Sequence, residues 1–222
     1  MKYKVEKRFE WDGEITEKMA AVMRMFGVNV RRLREQGVSH SCEVEINEGD
    51  IVYLTGPSGS GKSVLLRELE KCVPAEERVN LSDVELSGDK SLIDCMAGSP
   101  CDILSGLKLL SVAGLNDVFC VLNRPCCLSE GQKYRFRLAM ALAAGKKFIF
   151  ADEFCTNLDR ITAAVIAYNI HKFAKRRGVT FVLASSHEDI LGDLRPDVVI
   201  VKELAGEARV VYKKLNTDYP NR

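Results

Sequence analysis

Long apolar runs are missing from this chain, and no stretch approaches the length needed to span a bilayer. The first eight residues, Met1-Lys2-Tyr3-Lys4-Val5-Glu6-Lys7-Arg8, likewise lack the apolar core of a secretion signal. An excess of one charge is missing too. With 32 basic residues against 31 acidic ones, there is no general electrostatic case for nucleic acid or anionic lipid. Among eight cysteines no C-x-x-C pair occurs, and His40, His171 and His187 are not clustered with them, which argues against a zinc or cluster site. Repeats, low-complexity tracts and heptads long enough for a coiled coil are also absent. These absences predict a cytoplasmic globular protein with mostly buried, reduced thiols and no direct membrane insertion. The adjacent Cys126-Cys127 pair is the candidate for oxidation, and any role at a membrane would come through a partner.

What is present suffices for one domain over residues 1–222. A chain of this length can bury a substantial core, and 46% hydrophobic with 28% charged residues is an ordinary globular composition. The most informative segment is Gly56-Pro57-Ser58-Gly59-Ser60-Gly61-Lys62-Ser63, which fits the phosphate-loop template G-x-x-x-x-G-K-[ST] at every fixed position. Its context fits as well, with the apolar strand pattern 51–55 before it and a helical pattern over 63–71 after it. The glycines let backbone N–H groups close on a triphosphate, and the positive end of the following helix faces the same anion. Lys62 supplies charge for the β- and γ-phosphates, and Ser63 supplies a hydroxyl for Mg²⁺.

Along the chain, residues 3–11 alternate as a short edge strand. Residues 15–26 read as a helix, with Ile15, Met19, Val22, Met23 and Phe26 at helical spacing, and a basic stretch follows over 30–36. Alternation of Cys42, Val44 and Ile46 marks a strand, and Glu48-Gly49 turns the chain into the phosphate-loop strand. Further strands are expected at 78–81, 147–151, 180–184, 198–202 and 209–213. Helices are expected at 91–97, 103–114, from Ser129 to Gly145, and at 160–177, with Gly98-Ser99-Pro100 as a breaker. Strands alternating with helices imply a parallel-rich sheet covered on both faces.

Four more short segments carry chemistry. Leu128-Ser129-Glu130-Gly131-Gln132 opens a helix, Phe148-Ile149-Phe150-Ala151 runs into Asp152-Glu153, Asn157-Leu158-Asp159 follows, and Ser185-Ser186-His187 ends a strand. Asp152 places a carboxylate beside the phosphate loop, where it can hold Mg²⁺ directly or through water. Glu153 can accept a proton from water attacking a γ-phosphate. Ser129, as a helix N-cap, joins the helix N-terminal amides in an anion site.

In this order, over roughly residues 41–202, the segments closely resemble the ATP-binding-cassette (ABC) ATPase family. The resemblance implies an α/β phosphate-loop NTPase core with a parallel-rich sheet, antiparallel β elements and a small helical insertion near residues 87–145. It implies Mg-ATP bound by residues 56–63 and Val64, with Mg²⁺ on Ser63 and Asp152. Catalysis would rest on Glu153, His187 and Lys62, with His187 holding the γ-phosphate or the attacking water. Leu128–Gln132 resembles the signature L-S-G-G-Q, which binds the nucleotide of the other copy in a head-to-tail homodimer. Asn157, Leu158 and Asp159 would cross that interface.

The family pattern also fails in places. Transport members usually carry a glutamine between the phosphate loop and the signature, but this chain has only Gln36 and Gln132, both outside that interval. Glu85, Asp89 and Asp94 are the candidate replacements. Glu130 stands where the signature has glycine, a carboxylate tolerable near a triphosphate only if it points away. For the aromatic that stacks on adenine, Phe26 is the candidate, with Phe9 and Trp11 as rivals; Phe26 could instead close the apolar face of its own helix. Arg31-Arg32-Leu33-Arg34 could meet nucleic acid or an acidic partner, although charge runs are usually solvated. The trimmed insertion and missing glutamine favour a soluble protein or nucleic-acid complex as the partner; the alternative is a membrane permease.

Overall fold

The computed structural model describes residues 1–9, 11–35, 37–86, 88–97, 102–204 and 206–213. Its first half runs β1 (Lys2–Phe9), α1 (Glu17–Phe26), α2 (Val30–Glu35), β2 (Val38–Glu45), β3 (Ile51–Thr55), α3 (Lys62–Lys71) and β4 (Arg78–Asn80). Helices then follow one another, α4 (Leu92–Ala97), α5 (Ile103–Val112), α6 (Val118–Val121) and α7 (Glu130–Ala143). The rest is β5 (Phe148–Ala151), α8 (Arg160–Arg177), β6 (Thr180–Ala184), α9 (Leu191–Leu194), β7 (Val198–Val201) and β8 (Arg209–Tyr212).

The main sheet has six strands in the order β4-β5-β6-β3-β7-β8, all parallel except β8. Alternating side chains divide the core between its faces. Ile51, Tyr53, Ile149, Phe181 and Leu183 pack on one side with Phe136 and Leu138 of α7 and Ile166 and Ile170 of α8. Val52, Leu54, Phe150 and Val182 pack on the other with Leu65, Leu66 and Leu69 of α3. Each of those leucines is worth about 1.5–3 kcal/mol of burial, which fixes the helix behind the phosphate loop. A separate antiparallel ladder of β1 and β2 covers the far side of α3, with Val5 and Val44 in the same core.

Register sets the position of the site. Leu54 lies opposite Ala184, and Ala151 opposite Leu183, so β3, β5 and β6 end level with one another. The phosphate loop, Asp152-Glu153 and Ser185–His187 therefore leave one carboxyl edge of a parallel sheet, where ligands of such folds bind.

Several boundaries differ from the sequence expectation. The first helix starts at Glu17 because Thr16 caps it, its hydroxyl accepting from Met19 N–H at 3.3 Å. The second strand begins at Val38, ahead of the alternation of Cys42, Val44 and Ile46, because it pairs with β1 as far as Phe9. The basic stretch forms α2, and α6 and α9 are short helices that no periodicity announced. Gln36 and Gly98-Ser99-Pro100 lie outside the described residues.

Candidate functional site

Two glycines let the phosphate loop follow its path. Gly56 has φ 139°, and a Cβ there would fall 2.0 Å from the Lys202 carbonyl oxygen. Gly61 has φ 97°, and its Cβ would fall 2.2 Å from Cε1 of His40. Gly61 also caps α3 without any side-chain acceptor for the first-turn amides, which leaves them free for an anion. Lys62 Nζ donates to the carbonyls of Gly56 at 2.7 Å and Pro57 at 2.9 Å. Burial lowers the Lys62 pKa, while the nearby Asp152 carboxylate opposes that shift.

Asp152 and Glu153 follow β5 in a tight turn. Glu153 has φ 50° and Cys155 φ 59°, left-handed values that cost energy in residues other than glycine. Neighbours hold the turn: Phe154 N–H donates to Ala184 O at 2.8 Å, and Cys155 N–H to the Tyr134 hydroxyl at 3.0 Å. Asp152 Oδ1 accepts from Glu153 N–H at 3.0 Å. From β6, Ser185 N–H donates to Leu54 O at 3.0 Å, and Ser185 Oγ accepts from His187 N–H at 3.2 Å.

Ser58, Gly59, Gly61, Lys62, Ser63, Val64, Asp152 and Glu153 line one cavity of about 370 Å³. Ser185 and Ser186 join them, as do His40 and Thr156, which local sequence pattern did not single out. His40 does carry a signal: it continues the inward alternation of Cys42, Val44 and Ile46, and a polar side chain on that apolar face is unusual. Gly56, Pro57 and Ser60 shape the loop without lining the cavity.

Leu128–Gln132 lines no part of that cavity. Ser129 caps α7 through a capping box, its Oγ accepting from Gln132 N–H at 3.3 Å while its own N–H donates to Gln132 Oε1 at 2.9 Å. Glu130 is drawn to Lys133 on its own helix at 2.7 Å, and that ammonium holds its carboxyl below the ordinary range. Gly131 lies against Leu158, whose Cδ2 would be 3.3 Å from a Cβ there, and Asp159 caps α8 by accepting from Thr162 N–H at 2.9 Å.

Comparison with known proteins agrees with this geometry. The family model described as ABC transporter matches residues 39–96. The methionine import ATP-binding protein MetN of Streptococcus agalactiae serotype III (strain NEM316) is 27% identical over 210 residues, covering 78% of this chain and 58% of MetN. The lipoprotein-releasing system ATP-binding protein LolD of Ehrlichia ruminantium (strain Gardel) is 26% identical over 216 residues, covering 82% of this chain and 92% of LolD. Among solved structures, the dimeric bacterial ABC transporter cassette MJ0796 superposes with a TM-score of 0.64 at 20% identity, covering 80% of this chain and 92% of that one. The chain belongs to the ABC ATPase family.

As an ABC ATPase it departs from the sequence expectation at three places. His187 is exposed and does not line the cavity; its backbone is fixed, with Tyr53 Oη donating to its carbonyl. Phe26 lies elsewhere, in an apolar groove with Met19, Val22, Met23, Val28 and Leu33 on the α1–α2 excursion. Of the rival aromatics, Phe9 is the one joined to the cavity wall, edge-on to His40 at 5.9 Å between ring centroids. Glu85, Asp89 and Asp94 are exposed and none lines the cavity.

Proposed function

We propose that this cassette binds ATP in the phosphate-loop cavity and hydrolyses it to ADP and phosphate between two copies arranged head to tail. The observation that carries the reading is the convergence of Lys62, Ser63, Asp152 and Glu153 in one cavity at the carboxyl edge of the sheet. Lys62 would exchange its two carbonyl acceptors for phosphate oxygens, whose negative charge complements its ammonium. Glu153 would hold the attacking water and take its proton.

Ser63 and Asp152 would hold Mg²⁺, and the chemistry of this pair fits: a hydroxyl and a carboxylate are the hard oxygen donors that ion takes. No group of three or more His, Cys, Asp or Glu side chains gathers among the described residues, so nucleotide phosphates and water would supply the remaining ligands. When bound, the ion would neutralise charge on the phosphates. Ser129 and the α7 amides of the second copy would close over the γ-phosphate, with Glu130 kept aside by Lys133. His187 would reach the γ-phosphate only in that closed form, and Phe9 replaces Phe26 as the adenine-stacking candidate.

Relatives favour a membrane permease as the partner. MetN is named for methionine import and LolD for lipoprotein release, and among the described residues no helix is long and apolar enough to cross a membrane by itself. A non-transport partner is the second reading, supported by the absence of glutamine between Ser63 and Leu128 and by the exposed α1–α2 excursion. Glu153→Gln should retain Mg-ATP binding and lose turnover by about 100-fold or more, the scale of a general-base contribution. Normal turnover in that variant would remove Glu153 from the mechanism. Reconstitution would then separate the partners: ATPase stimulated by a co-purifying polytopic membrane protein supports the permease, and stimulation by soluble protein or nucleic acid supports the second reading.

A further inference from the structure

Among the described residues, the buried side-chain polar atoms without a hydrogen-bond partner are His40 Nδ1 and Ser60 Oγ. Both belong to the phosphate-loop region. Buried polar atoms are rarely left unpaired, so each calls for a physical reason. Ser60 is fully buried behind the loop and does not line the cavity. His40 is 6% exposed and does line it, beside Gly61, Lys62, Ser63 and Val64.

The His40 ring presents its Cε1–Nδ1 edge to Gly61, with those atoms 2.2 and 2.3 Å from the place a Cβ would occupy. Gly61 begins the run of amides at the start of α3, to which phosphates are drawn. A phosphate seated on those amides would lie beside the His40 ring, which lines the same cavity. Burial and the charge of Lys202 both lower the His40 pKa, so the ring is neutral near pH 7 and carries one N–H. Lys202 does not supply the missing partner: its Nζ donates instead to the carbonyls of Glu203 and Gly206.

We infer that His40 is a nucleotide-binding residue whose Nδ1–H donates to a phosphate oxygen of the bound nucleotide. This rests on the nucleotide reading above. A phosphate is the matching group because its oxygens only accept, and because the neighbours of His40 in the cavity are loop and first-turn residues. The bond would fasten the phosphate chain to β2, adding a second support to that of the loop. It would also fix the imidazole tautomer, since the proton must sit on Nδ1.

The test uses the full chain and Mg-ADP. Calorimetry would compare wild type, His40→Phe, which keeps a ring against Gly61 without nitrogens, and Lys62→Ala. In parallel, imidazole ¹⁵N resonances of wild type would be followed during titration; with three histidines in the sequence, His40 is assigned by its loss in the variant. The inference expects His40→Phe to bind about tenfold more weakly, the worth of one hydrogen bond. It also expects the His40 Nδ1 resonance to move toward the protonated-nitrogen position when Mg-ADP binds. Equal affinity of His40→Phe and wild type, with an unmoved His40 resonance, would show the ring to be packing only. Wild type that binds no better than Lys62→Ala would overturn the nucleotide reading itself, and this inference with it. Should His40→Phe fold poorly, the wild-type resonance alone decides.

Discussion

The phosphate-loop end of the molecule and the signature-like end of α7 hold their polar groups in different ways. At the loop, polar groups lack external partners: Lys62 is folded onto its own loop carbonyls, the α3 amides have no side-chain cap, and His40 Nδ1 and Ser60 Oγ have none at all. At the signature the polar side chains satisfy each other, Ser129 with Gln132 and Glu130 with Lys133. The loop is built to be completed by a ligand. The signature is finished before any ligand arrives, and offers a preformed helix start rather than a cavity. That difference fits the proposed sharing of one site between two copies, with the loop of one facing the α7 start of the other.

The comparison is broken most severely at the loop. Lys62→Ala should weaken Mg-ATP binding by about 100-fold, the loss of charge-assisted bonds, as measured by calorimetry. Gly61→Ala places a methyl against the His40 ring at φ 97° and should cost about 3 kcal/mol of stability, read from denaturant unfolding. His40→Ala in the same chain should return part of that loss; no recovery would mean the ring is not what Gly61 accommodates. At the signature the effects should spare binding. Ser129→Arg should leave Mg-ATP affinity of the isolated copy within about twofold while abolishing turnover, because the substitution lies outside that copy's cavity. Lys133→Ala is the mildest, freeing Glu130 to approach the triphosphate of the other copy. A loss of several-fold in turnover, largest at low salt, is the expected sign of that released charge.

Residues contiguous in the chain are legible from their own order. The loop from Gly56 to Ser63 and the pair Asp152-Glu153 announce their chemistry by spacing, and the buried strand Ile51–Thr55 has the bounds its apolar run implies. Contacts between distant segments are not legible in that way. The approach of His40 to Gly61 depends on how the β1–β2 ladder lies across α3, which no local pattern encodes. Phe26 fails as the adenine-stacking residue for the same reason: periodicity shows which residues share a face of α1, but not that α1 buries none of them. Glu130 looks out of place at the signature until Lys133, three residues on, is seen to hold it; that spacing is readable on a helix. His187 sits on the expected strand end, yet its side chain lies outside the cavity of a single copy.

Sedimentation velocity of Glu153→Gln tests the central claim most directly, with Mg-ATP in one cell and Mg-ADP in another. A site shared between two loop and signature halves predicts a dimer with Mg-ATP and a monomer with Mg-ADP. A species of the same mass in both cells, whether monomer or dimer, would contradict it.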